Sequence, residues 1–132
     1  MKIPKILLVD DSKATRAIVG KTLASHECEI LEAANGQLGV EMARTHVPEL
    51  IILDMTMPVM DGVEALRTLK ADEALRDIPV MMLTANSNPE EMEQMKALGA
   101  AEYITKTQRP RLILDRAIAL ISLQPRPVAV PI

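Results

Sequence analysis

"KILLVDDSKATR", residues 5–16, joins the aliphatic run Ile6–Val9 to two successive acids, Asp10 and Asp11, and then to Ser12, a good helix N-cap. The run has strand length and is continuous rather than alternating, the pattern of a strand covered on both faces. Two acids at its end solve no packing problem, because neighbouring side chains on a strand point to opposite faces and two carboxylates drawn together repel. A bound cation accounts for them.

The same unit recurs along the chain. Apolar runs of strand length follow at Ile30–Leu31, Leu50–Leu53, Val80–Leu83 and Tyr103–Ile104, with helical apolar spacing between them. The first helix reads from Ser12 through Ile18, Val19 and Leu23, and the second from about Gly36 through Leu38, Val40 and Met42. The third begins behind Asp61-Gly62 and carries Val63, Leu66 and Leu69. The fourth has Asn88 as N-cap, Pro89 at its first position, Glu90 and Glu91 on its positive dipole end, then Met92, Met95 and Leu98 before a stop at Gly99. The fifth runs from near Pro110 to about Leu123. Strand and helix alternating five times predict an α/β fold with a parallel sheet covered on both faces. Residues 1–123 form one domain in this reading. Residues 124–132, QPRPVAVPI, hold three prolines and form an extended tail or the start of a linker.

Composition narrows the function classes. The 132 residues suit one domain, and with a single aromatic residue, Tyr103, the core must be built from aliphatic side chains and the nine methionines. A net charge of −3 supplies no footprint for a phosphate backbone, so this domain is not expected to contact nucleic acid. Cys28 is alone, which excludes an internal disulfide and fits a reducing compartment. No stretch approaches the length of a membrane span and the N-terminal apolar run is too short for a signal peptide, so the expected location is the cytoplasm.

In open α/β sheets ligands sit beyond the C-terminal strand ends. There the chain places Asp10 and Asp11 after the first strand, Asp54 after the third, Thr84 after the fourth and Lys106 after the fifth. Each residue alone has a bland explanation as cap, turn former, β-former or solvated charge. Their convergence at one edge is harder to dismiss. Hard oxygen ligands suit Mg²⁺, and an amine with a hydroxyl nearby suits the remaining oxygens of a phosphoryl group. In LDMTMPVMDG, residues 53–62, Pro58 breaks the strand pattern and Asp61-Gly62 supplies a turn that caps the next helix.

Taken together, the Asp10-Asp11 pair, Asp54 with Met57, Pro58, Met60, Asp61 and Gly62, the run IPVMMLTA ending in Thr84-Ala85, and ALGAAEYITK with Tyr103 and Lys106 resemble the receiver domain of bacterial two-component response regulators, of the chemotaxis type. The resemblance spans about residues 5 to 123. It implies a flavodoxin-like (βα)5 three-layer sandwich with strand order 2-1-3-4-5. It also implies that Asp54 accepts a phosphoryl group from a sensor histidine kinase or a histidine phosphotransfer protein. Asp10, Asp11, Asp54 and the Thr56 carbonyl would then hold Mg²⁺, with Mn²⁺ as a substitute, while Lys106 and Thr84 bind phosphoryl oxygens. Thr84 and Tyr103 would form the switch, and Thr56 and Asn86 would tune the phosphoryl lifetime. The face made by the fourth helix, fifth strand and fifth helix would bind an effector or a second copy. The chain departs from the family after Lys106, where Thr107 replaces the usual proline.

The fifth helix carries Ile113, Leu114, Ala117, Leu120 and Ile121 on one face, and Leu112, Ala119 and Leu123 with Arg116 on a second stripe suited to a partner or to ordinary exposure. The implied protein is a phosphoacceptor signalling domain, whose only chemistry is its own phosphorylation and dephosphorylation. Two other functions compete. A Mg²⁺-dependent aspartyl-phosphate phosphohydrolase wants a second acid where Thr56 stands, and a receiver-like scaffold would not be phosphorylated at all. A flavodoxin-like cofactor carrier is disfavoured by acids where a flavin phosphate needs backbone amides and hydroxyls.

Overall fold

The structure, a computed structural model, describes residues 3–86 and 88–127. Its elements are β1 (Lys5–Val9), α1 (Lys13–Leu23), β2 (Glu29–Ala33), α2 (Gly36–His46), β3 (Leu50–Asp54), α3 (Gly62–Ala71), β4 (Val80–Thr84), α4 (Pro89–Ala97), β5 (Glu102–Thr105) and α5 (Pro110–Leu120). The strands form one parallel sheet in the order β2-β1-β3-β4-β5.

Strand alternation splits the interior into two apolar layers. Leu7, Val9, Ile51, Leu53, Val80 and Met82 face a layer completed by α2, α3 and α4, whereas Ile6, Leu8, Leu50, Ile52, Met81, Leu83 and Ile104 face one completed by α1 and α5. β1, β3 and β4 are buried on both faces, which is why their sequences read as unbroken aliphatic runs. Each fully buried leucine or isoleucine in these strands contributes about 2 kcal/mol of apolar transfer.

The expected caps form at Ser12, Asp61 and Asn88, and Asn35 adds one for α2. Ser12, Asn35, Asp61 and Asn88 accept from the amides of Thr15, Leu38, Glu64 and Glu90, opening α1 to α4 in turn. α4 ends before Gly99, which takes a φ of +105°.

Three local readings change. In α2 the buried residues are Gly36, Gly39, Val40 and Ala43, while Leu38 is exposed and Met42 only partly covered. Small residues face the sheet because the helix lies close on it: a Cβ on Gly39 would strike the Val9 side chain. In addition, α5 ends at Leu120, and Ile121 is already extended, so the chain turns back before the expected end near Leu123. Leu123 is therefore buried in the α1/α5 layer rather than displayed on an outer stripe; of that stripe Arg116 and Ala119 are exposed, with Ile118 beside them, and Leu112 is half-buried against the same layer.

The segment after Leu123 is extended and folds back onto the α1–β2 connection. Pro125 forms an antiparallel bridge with His26, the Glu27 amide donates to the Gln124 carbonyl, and Arg126 donates to the carbonyls of Ala24 and Cys28. The bond to Ala24 satisfies a carbonyl left over at the C-terminus of α1. Residues 128–132 of the expected tail lie outside the described residues.

Candidate functional site

β1 and β3 lie side by side, and β3 pairs with β4. Their C-terminal ends therefore open onto one edge, where Asp10, Asp54 and Thr84 are the buried polar residues. Carboxylate oxygens of Asp10, Asp11 and Asp54 all lie within 4.8 Å of one another, with Asp11 exposed at the rim. Lys106 follows β5, and its Nζ lies 2.9 Å from Asp10 Oδ2 and 3.1 Å from Asp54 Oδ1. Thr107 in place of proline does not divert it.

The alternation that builds the core also sorts the site. Asp10, Asp54 and Lys106 continue the set of positions that face α1 and α5, whereas Thr84 and Tyr103 belong to the set that faces α3 and α4. Acids and lysine thus gather on one side, and hydroxyl and phenol on the other.

Local bonds hold each group. Asp10 Oδ1 accepts from the Ser12 amide at 2.8 Å, and the Asp10 carbonyl accepts from Arg16 Nη1 at 2.5 Å. Arg16 is itself oriented by Glu32, with Nε donating at 2.9 Å. The loop after Asp54 is pinned by Gly62, whose amide donates to the Met55 carbonyl and whose missing Cβ leaves room for the Asp54 carbonyl. The Lys106 amide donates to the Thr84 carbonyl at 2.7 Å, tying the fifth strand end to the fourth.

Electrostatics follow from burial and crowding. Burial raises the Asp54 carboxyl above its ordinary value, the bond from Lys106 opposes that rise, and the Asp10 charge adds to it. For Lys106 burial alone would lower the ammonium, but the bonds to Asp10 and Asp54 outweigh it and the net shift is upward. Asp10 Oδ2 is buried with no well-directed hydrogen bond; its partner is the Lys106 charge alone. An oxygen left in that condition, next to two further carboxylates, fits a hard divalent cation.

On the opposite side, Thr84 Oγ1 has two acceptors, the Asn86 carbonyl at 3.1 Å and Glu91 Oε1 at 3.3 Å. The Tyr103 hydroxyl donates to the same Glu91 oxygen at 2.5 Å. Burial, then this carboxylate, raise the Tyr103 phenol above its usual range. Thr56 and Asn86 are exposed, two residues beyond Asp54 and Thr84 respectively. Between α4 and α5, a cavity of about 380 Å³ is lined by Ala85, Met92, Tyr103, Leu112 and Arg116 among others.

Two residues of this arrangement escaped the sequence reading. Arg16 lies one helical turn beyond the acids, a spacing that could have signalled it. Glu91 read as a dipole-complementing acid, and nothing in the order of residues joins it to Thr84 or Tyr103.

A parallel sheet with acids, a lysine and a hydroxyl gathered at its carboxyl edge defines an α/β domain with its polar site where open sheets of this kind place one. The sequence pattern of the response regulator receiver domain matches residues 6–118, and the chain belongs to that family. It is 38% identical over 116 residues to the phosphate regulon transcriptional regulatory protein PhoB of Pseudomonas aeruginosa, covering 88% of this chain and 51% of that protein. It is 31% identical to protein PilH of the same organism, covering 89% of this chain and 98% of PilH. The chemotaxis protein CheY4 of Vibrio cholerae superposes with a TM-score of 0.84 at 31% identity, covering 91% of this chain and 100% of that one. The chain spans about half the length of PhoB and 7% of a histidine kinase of Formosa agariphila. It is a receiver domain of the two-component response regulators, a signalling domain with an acidic pocket of the kind in which receivers bind Mg²⁺. Among the described residues, no helix is long and apolar enough to cross a membrane.

Proposed function

We propose that Asp54 is the phosphoacceptor. A carboxylate oxygen of Asp54 attacks the phosphorus of a phosphohistidine on a sensor histidine kinase or a histidine phosphotransfer protein. The P–O bond to Asp54 forms as the P–N bond breaks, and the imidazole leaves with the electron pair and takes up a proton. The observation that carries this is the convergence of three carboxylates within 4.8 Å around a lysine in contact with two of them.

Asp10, Asp11, Asp54 and the Thr56 carbonyl would hold Mg²⁺, with Mn²⁺ as a substitute, and the buried, poorly bonded Asp10 Oδ2 supports that assignment. When bound, the ion offsets the repulsion between the carboxylates and the incoming phosphoryl oxygens. Lys106 pairs with one phosphoryl oxygen, and Thr84 turns its hydroxyl from the α3/α4 side to bond another. Tyr103 follows Thr84, which remodels the α4-β5-α5 face for an effector or a second copy. Thr56 and Asn86, both exposed, tune hydrolysis of the acyl phosphate. Residues 1–123 act as the receiver unit in the cytoplasm, without nucleic acid or membrane contact of their own.

Incubation with radiolabelled acetyl phosphate and Mg²⁺ tests this. One hydroxylamine-labile phosphoryl per chain is expected, absent from Asp54→Asn and from chelated protein. Labelling that survives Asp54→Asn overturns the assignment; rapid multiple turnover favours the phosphohydrolase, and no labelling favours the scaffold.

A further inference from the structure

We propose that Glu91 is a latch that holds Thr84 and Tyr103 in the resting arrangement, a positioning residue for the phosphorylation switch. The inference rests on Asp54 being the phosphoacceptor and adds a residue to that function. One carboxylate oxygen of Glu91 accepts from both Thr84 Oγ1, at 3.3 Å, and the Tyr103 hydroxyl, at 2.5 Å. The Thr84 hydroxyl has a single proton, so it cannot donate to Glu91 or the Asn86 carbonyl and to a phosphoryl oxygen at once. Phosphoryl binding by Thr84 therefore breaks its bonds on the α4 side. The phenol bonds the same oxygen, so Tyr103 gives it up as it follows Thr84, and α4, which carries Glu91 in its first turn, feels the exchange directly. Glu91 thus links three elements: β4 through Thr84, β5 through Tyr103, and α4 through its own backbone. Removing the carboxylate leaves Thr84 the Asn86 carbonyl as its one acceptor on that side and shifts the unphosphorylated population toward the inward hydroxyl.

Tyr103 is the only aromatic residue, so intrinsic emission reports on this phenol alone. A tyrosine bonded to a carboxylate emits weakly. In unphosphorylated protein, Glu91→Ala should raise the emission toward the level that the wild type reaches after reaction with acetyl phosphate and Mg²⁺. It should also speed labelling of Asp54 by about fivefold, the size of effect that one ordinary hydrogen bond supports. Glu91→Gln keeps an acceptor oxygen and should fall between wild type and alanine on both readouts. Glu90→Ala removes an acid from the same helical turn without touching Thr84 or Tyr103 and should leave both at wild-type values, which separates the latch from helix-dipole effects. Unchanged emission in folded Glu91→Ala and Glu91→Gln, or labelling no faster than wild type, overturns the latch while Asp54 remains the acceptor. A wild type that takes no label sinks the phosphoacceptor assignment and the latch with it, even if emission rises in Glu91→Ala.

Discussion

Lys106 Nζ lies 2.9 Å from Asp10 Oδ2 and 3.1 Å from Asp54 Oδ1, so one ammonium serves two buried carboxylates at the ends of strands that neighbour each other in the sheet but not in sequence. Removing it leaves two negative charges drawn together with no countercharge. Breaking a fully buried pair in this way costs about 3–5 kcal/mol, and the 28% exposure of the lysine side chain reduces the expected loss to about 2 kcal/mol. Urea denaturation of Lys106→Ala in chelator should show that loss, and added Mg²⁺ should recover part of it. A variant as stable as wild type in chelator would mean that the pair contributes no net stability.

Asp11 adds a third carboxylate at the exposed rim of the same cluster. With no divalent ion it contributes only repulsion, and with one it contributes a ligand. Asp11→Asn should therefore raise Tm in chelator and abolish the rise that Mg²⁺ produces in the wild type. Thermal melts with and without Mg²⁺ check both signs.

Burial and the Asp10 charge hold the Asp54 carboxyl above its ordinary value against the pull of Lys106. The folded state then binds more protons than the unfolded state in the window between the ordinary carboxylate value of about 3.9 and the raised one. Stability of chelated protein should fall as pH climbs through that window and level off above the raised value. Asp54→Asn, which has no proton to lose, should lack this decline and be the more stable protein at neutral pH. Urea midpoints against pH in chelator decide it; parallel curves for the two proteins would remove the titration from Asp54.

Val59, in the loop between Asp54 and α3, adopts a φ of 70° and is 75% exposed. A β-branched residue in the left-handed region is strained by about 1–2 kcal/mol, and little side-chain contact offsets it. Glycine relieves the strain but adds about 0.5–1 kcal/mol of unfolded-state freedom. Val59→Gly should stabilise the protein by about 0.5–1 kcal/mol, with Val59→Asn in the same direction. Denaturant midpoints measure this, and a loss of stability on both substitutions would mean that Val59 makes contacts that matter.

Much of this is legible in the sequence, because it depends on local chemistry. Continuous aliphatic runs mark strands buried on both faces, side-chain oxygens at Ser12, Asp61 and Asn88 mark helix starts, and Gly99 marks a stop. Local signals become weaker where packing chooses among equally apolar residues. In α2 the close approach to Val9 selected Gly39 and Ala43 over Leu38. At the end of α5 the chain extended early, so Leu123 entered the core that periodicity had placed it outside.

By itself the order of residues determined that acids, a hydroxyl and an amine end successive strands, since strand ends are set by short-range pattern. Only the folded chain decided that Lys106 bridges Asp10 and Asp54, that Thr84 points away from them, and that Glu91 joins Thr84 to Tyr103. Those relations depend on strand order and on the side of the sheet to which each side chain turns. Neighbourhood across a sheet is a property of the packed chain, not of spacing along it.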